Sequence, residues 1–485
     1  MTPLLIVASV IGYFGILILI SFLTAQKADS TSFFTGNKQS PWYIVAFGMI
    51  GASLSGVTFI SVPGWVAKSE FSYMQMVLGY LAGYLVIGTI LMPLYYRLNL
   101  TSIYTYLHER FGMYSYKTGT IFFLLSRTIG AAFRLYLVAL VFQLAVFDRL
   151  GMQVPFVLTV FLTILLIWLY TFKGGIKTII WTDTFQTLFM LLAVGITIYS
   201  IASQMGWGPT EMVKAIDQSD YSQIFFFDDW RDSKFFLKQF LAGAFISIAM
   251  TGLDQDMMQK NLSCKNIGEA QKNMFWFSIT LVFVNLLFLS LGALLYLFIE
   301  ANGIASPENA DYLYPMLAVE GYLGPVVGLM FVLGLIAAAY SSADSALTAL
   351  TTSFCIDVLG FDRNKIDNPE KLRKIVHVGF SVLLLVVIVV FKSLNNESVI
   401  KEVFVAAGYT YGPLLGLYSF GLFGNQKVMD KWVPLVCILA PIICFVVKSN
   451  SASWFNGYQL GFELLILNGM LTYLGLTFIR KKDVI

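Results

Sequence analysis

Apolar residues run along this chain in long blocks, each about the length needed to cross a bilayer, with polar residues gathered in the gaps. Cut at charges and at Gly/Pro punctuation, the blocks predict thirteen spans: 3–23, 43–66, 74–96, 118–147, 154–171, 178–203, 236–259, 274–299, 321–356, 375–391, 398–423, 432–447 and 458–479. The ninth is long enough for a helix that continues past the bilayer. The first block has no basic leader, is too long for a signal peptide and precedes no small-residue cleavage site, so it is expected to remain as a span. The pattern predicts an all-α integral membrane protein with one transmembrane domain over 1–485.

Two blocks are interrupted. The stretch GASLSG, Gly51 to Gly56, lies in the middle of span two, with Val62-Pro63-Gly64 before its end, and span seven reads AGAFISIAMTGLDQD. Glycine and serine weaken a helix and proline removes a donor, at the depth where an unpaired backbone group is most costly. An unwound segment resolves the contradiction, because carbonyls freed near the midplane are hard, neutral ligands suited to Na⁺. Spans two to six and seven to eleven are five each, so the second five enter from the opposite side. We read 43–203 as a first five-helix repeat, 236–423 as its inverted counterpart, 3–23 as an extra helix and 432–479 as two C-terminal helices. Paired breaks in inverted halves are the sequence mark of a secondary transporter's binding site.

Composition agrees with lipid: of 485 residues, 58% are hydrophobic and 12% charged, against about a quarter charged in soluble domains. A net charge of +3 with no nucleic-acid motif gives no reason to expect nucleic acid as a partner. Twenty of the 31 Lys and Arg residues fall on one side of the spans, nine on the other, and Arg127 and Arg134 inside span four. The positive-inside rule then sets the N-terminus outside and the C-terminus in the cytoplasm of a plasma (inner) membrane protein. Cys264, Cys355, Cys437 and Cys444 lack metal or CxxC spacing and read as small core residues. His108 and His377 lie near basic residues of inner loops, where a solvated role is expected. HExxH, GxSxG and P-loop motifs are absent, so no enzyme is expected.

Polar residues inside spans are costly and face a cavity or a partner. Span two holds Ser53, Ser55, Thr58 and Ser61 beside its glycines. In span nine, Ala338, Ser341, Ser342 and Ser345 share one helical face, either a small-residue packing stripe or a set of ligands. Asp344, close to the stripe, is expected nearer the inner water. Asp183, at the start of span six with Gln186, either reaches the same cavity or complements its own helix dipole. Arg127 and Arg134 suggest one partner among the protein's carboxylates and one anionic substrate, with a buried structural pair as the other reading. Asp254 and Asp256 are expected to meet water or loops.

Taken together, GASLSG with FISVPG, KGGIKTIIWTD, DQDMMQKNL and AAAYSSADSAL resemble the sodium/solute symporter family, through nearly all of spans one to twelve. The resemblance implies a LeuT-type inverted five-plus-five fold and Na⁺-coupled import of a small organic solute by alternating access, with Na⁺, solute and lipid as the partners; the chain is expected to function as a monomer. It implies a main sodium site from the carbonyls of Gly51, Leu54 and Ala338 and the hydroxyls of Ser341 and Ser342. A second sodium would lie near Asp183, Ser342 and Ser345. The implied substrate cavity is lined by Ser53, Ser55, Thr58, Phe71 and Gln75, with Arg127 opposite. The sugar transporters' Glu-Gln pair has no counterpart, and the proline transporters' acidic residue corresponds to Ser53. The resemblance therefore points to the branch handling organic anions, sialic acid or a carboxylate among them. A symporter of a neutral sugar, polyol or amino acid is the alternative. A transporter-like membrane sensor is more remote, because no kinase-like segment follows the last span, and a channel would need repeated polar rings.

Overall fold

The computed structural model describes residues 3–24, 34, 36–148, 151–171, 175–361, 367–394, 399–424 and 426–481. Of the basic residues used for orientation, Lys27, Arg149, Lys173, Arg363, Lys365 and Lys482 lie outside them. The principal elements are α1 Pro3–Thr24, α2 Trp42–Ser69, α3 Tyr73–Val86, α4 Met113–Phe142, α5 Phe156–Thr171, α6 Gly175–Gln204, α7 Phe236–Ser247 and α8 Gln255–Leu262. They continue with α9 Ile267–Asn302, α10 Pro325–Ser353, α11 Pro369–Leu394, α12 Val399–Thr410, α13 Gly412–Phe423, α14 Val433–Trp454 and α15 Leu464–Phe478. Among the described residues nine helices are long and apolar enough to cross a membrane, ten if the bent pair α7–α8 is one span, and three shorter apolar helices accompany them. This is an all-helical, multi-pass membrane protein.

The helices sort by what their side faces meet. α2 and α10 are buried over 83% of their apolar windows and pack on α6, with α9 against α2, whereas α1 and α14 are buried over only 22% of theirs. The peripheral helices turn Ile11, Leu19, Leu162, Val386 and Ile442 outward, an apolar surface that lipid covers. Between α3 and α7 the backbones touch: a Cβ on Gly79 would stand 2.1 Å from the Phe240 carbonyl oxygen. Small residues permit such approaches where lipid offers no hydrophobic driving force.

Three predicted spans are broken. The unwound segment expected in span two is confined to one residue, Ser55, at φ 55° and ψ 172° within an otherwise continuous α2. One inverted dihedral pair is enough to interrupt a helical ladder, at a cost of about 1–3 kcal/mol. Span seven widens into a π-turn at Ile248–Gly252 and then bends by 65° into α8. Span eleven is two helices, α12 and α13, meeting at Tyr411. All four cysteines are buried, in keeping with core packing. His377, expected to be solvated, is buried 4% exposed on α11, where Thr351 Oγ1 lies 3.1 Å from its Nδ1 and Trp168 packs nearby. Its neighbouring basic residues lie one turn nearer the helix end, which is why the local sequence misplaced it.

Candidate functional site

The stripe on α10 faces α2. The Ser342 hydroxyl donates to the carbonyl oxygens of Ala52, at 3.2 Å, and Ala338, at 3.4 Å. Three hard, neutral oxygens thus converge one turn before the break at Ser55. The contact falls on Ala52, next to Gly51, whose own N–H is held by Thr187 Oγ1 at 3.1 Å on α6. A Cβ on Gly51 would stand 2.2 Å from that hydroxyl oxygen, so glycine is the residue that lets α2 lie against α6 there. Leu54 lies in the same turn, on the wall of the central cavity. Beside this face, Ser341 donates to Asp183 Oδ1 at 2.8 Å, and Ser345 donates back to the Ser341 carbonyl at 2.9 Å. Asp344, expected near the inner water, is fully buried, and one of its oxygens accepts from the Ser345 N–H.

The sequence DQDMMQKNL forms a polar knot. All eight residues of α8 are buried, and Asp254 caps it by accepting from the N–H groups of Asp256 and Met257. Gln255 bonds the Ile103 N–H and the Thr101 carbonyl, Gln259 the Phe34 carbonyl, and the Asn261 amide oxygen accepts from Asn273 at 2.7 Å. Lys260, 1% exposed, sets Nζ 2.7 Å from Asp183 Oδ2 and 4.0 Å from Asp256 Oδ1. Asp256 in turn holds Arg127, which also lies 3.8 Å from Asp254. Asp254 accepts from the Tyr411 hydroxyl at 2.5 Å. Asp254 and Asp256 therefore meet a cation of α4 rather than water, because the 65° bend turns them inward.

The central cavity, about 80 Å³, lies beside the break. Of the residues expected to meet substrate, Ser53, Ser55, Thr58 and Arg127 line it. Both arginines of α4 line the cavity, and their partners differ. Arg127 pairs with Asp256, whereas Arg134, two turns further along the same face of α4, has Nε and Nη1 buried and without a hydrogen-bond partner. Among the described residues no carboxylate lies within ion-pair distance of Arg134. Tyr73, Tyr80, Tyr84, Thr251 and Asn285 complete a wall that sequence reasoning did not name. The signal for Arg134 was present in its intramembrane position; its availability was not.

Phe71 and Gln75 do not line the cavity. Gln75 is pinned to the segment before α7, donating to the Lys234 carbonyl at 2.9 Å and accepting from the Phe226 N–H at 3.2 Å, and the Phe71 N–H donates to the Gln223 carbonyl. Above them lies a second cavity of about 780 Å³, lined by Lys68, Lys234, Lys401 and Lys448 with Trp65 and Phe462. A row of rings separates the two: Tyr73 against Phe404 at 6.4 Å, Phe404 against Phe462 at 5.1 Å and Phe462 against Trp65 at 6.3 Å.

A family model described as the sodium:solute symporter family matches residues 33–429. The sodium/sialic acid symporter NanT of Aliivibrio fischeri is 25% identical to the chain, covering 95% of it and 91% of NanT. SiaT of Proteus mirabilis, named for the same activity, is 24% identical over 89% of the chain, and the human sodium/iodide cotransporter 23% over 89%. A solved structure of a Na⁺-coupled sialic acid symporter superposes with a TM-score of 0.81 at 20% identity, over 98% of both chains. With its motifs, its buried α2–α10 face and this match over most of its length, the chain belongs to the sodium:solute symporter family.

Proposed function

We propose that this Na⁺-coupled symporter imports a small organic anion and that Arg134 receives the anionic group. The observation that carries the reading is a buried guanidinium on the central cavity with unpartnered donors. Such a cation is expensive unless an anion or water satisfies it, and its planar fork suits a carboxylate. Arg127 is neutralised by Asp256 and serves as wall. The relatives named for sialic acid and iodide carry anions. The second cavity, lined by four lysines against Glu308, with Lys234 paired to Glu70, is net basic on the side that the Lys/Arg count assigns to the outside.

For sodium, the convergence of Ala52 O, Ala338 O and Ser342 Oγ supports a main site between α2 and α10. Ser341 lies on the same face. On the α2 side the ligands come from the turn Gly51 to Ser55, with Ala52 foremost, one residue beyond the register that starts at Gly51 and Leu54. The ion binds α2 to α10 in the state that accepts substrate, and its loss inward releases both. We read the helices as thirteen spans in a LeuT-type inverted repeat, with the broken α2 and the bent α7 opening the two halves.

A thermal-shift screen of sialic acid, short carboxylates, neutral sugars and amino acids, each with and without Na⁺, tests the solute class. An anion is expected to stabilise the wild type more when Na⁺ is present and to lose that effect in Arg134→Gln. Stabilisation by a neutral solute that survives Arg134→Gln would overturn it.

A further inference from the structure

We propose that Lys260 is a resident cation, standing where a second sodium would bind at Asp183, and that the protein consequently couples transport to one Na⁺. The inference rests on the Na⁺ reading above. It starts from an ion pair sealed inside the molecule: Lys260 Nζ and Asp183 Oδ2 are 2.7 Å apart, with the two side chains 1% and 0% exposed. A second-ion site built on Asp183, Ser342 and Ser345 draws its only negative charge from Asp183, and that charge is already paired with Lys260. Asp183 Oδ1 takes the Ser341 hydroxyl and Oδ2 takes the ammonium. A sodium on Asp183 would stand close to a like charge in a buried, weakly screening setting.

Position gives the lysine a second role. Through Asp256, 4.0 Å from its Nζ, it joins the ion-binding face to Arg127 in the cavity wall. A covalently tethered cation cannot be lost inward with the substrate. The α6–α8 contact therefore persists through the cycle, while the α2–α10 contact depends on the mobile ion.

The test titrates purified protein in nanodiscs with NaCl at constant ionic strength, choline replacing Na⁺, and reads melting temperature and tryptophan fluorescence. The wild type is expected to respond with a Hill coefficient of about 1. The double variant Asp183→Asn/Lys260→Met removes both buried charges together, and is expected to fold and keep a single-ion response within about threefold of the wild-type affinity. A wild-type Hill coefficient near 2 that falls to about 1 in Asp183→Asn would overturn the proposal and leave the Na⁺ reading standing. Loss of the Na⁺ response in the folded double variant would also overturn it. A wild type that does not distinguish Na⁺ from choline would defeat the Na⁺ reading itself, and this proposal with it.

Discussion

The hydroxyl of Ser342 reaches the carbonyl oxygen of Ala52 across 3.2 Å, joining two helices at the turn before α2 breaks. A serine–carbonyl bridge is a weak tie for two helices that are otherwise buried against each other. A hard cation shared between the same oxygens is a stronger and reversible one. Ser342→Ala should therefore raise the Na⁺ concentration for half-maximal uptake about tenfold, the equivalent of about 1.4 kcal/mol, while leaving the melting temperature in choline nearly unchanged. Na⁺ titration of uptake and a melting curve in choline measure the two effects separately.

Arg127 and Arg134 should separate in the same way. Removing Arg127 leaves buried Asp256 with only the more distant Lys260, 4.0 Å away, so Arg127→Ala should destabilise the protein by about 3 kcal/mol. Arg134→Gln should keep the fold and the Na⁺-dependent thermal shift but lose solute-dependent stabilisation. Melting curves with Na⁺ alone and with Na⁺ plus solute distinguish the two.

Gln75 supports the segment before α7, and does so through both ends of its amide. Gln75→Ala should cost about 1–3 kcal/mol of stability through lost hydrogen bonds to buried backbone. The KM for solute should not move, since the side chain does not face the cavity. A rise in KM at unchanged stability would place Gln75 at the substrate after all.

The row Tyr73, Phe404, Phe462, Trp65 is the partition between the two cavities. All four native cysteines are buried, so a cysteine introduced at Thr58 is a clean reporter of access from the second cavity. In Thr58→Cys, an impermeant thiol reagent should label slowly; adding Phe404→Ala should raise the labelling rate about tenfold or more, as loss of one ring opens the path. An unchanged rate would mean the barrier lies elsewhere.

Much of this was legible in the chain. The position of the break was, because Gly and Ser in the middle of an apolar run contradict every helical preference at that depth. The contact register was not: Gly51 and Ala52 differ only in where their carbonyls point, which depends on dihedrals that the sequence does not print. Arg127 and Arg134 are seven residues apart on one helical face, so periodicity makes them equivalent. What separates them is Asp256, brought from 129 positions away by the bend after α7. Lys260 and Asp183 were each visible as polar residues near span ends. Their pairing over 77 positions was not, because it depends on α8 folding beneath α6. The partners of Phe71 and Gln75 were illegible for the same kind of reason, since they lie in the nonlocal 204–235 segment.

The central claim is that Na⁺ binding between α2 and α10 drives entry of an anion held by Arg134. Uptake of labelled sialic acid and of short carboxylates into proteoliposomes, under an inward Na⁺ gradient and under a matched K⁺ gradient, tests it most directly. Accumulation of at least one of these anions under Na⁺ alone, abolished in Arg134→Gln, is the result expected. Equal uptake under both gradients, or full Na⁺-driven uptake in Arg134→Gln, would contradict it.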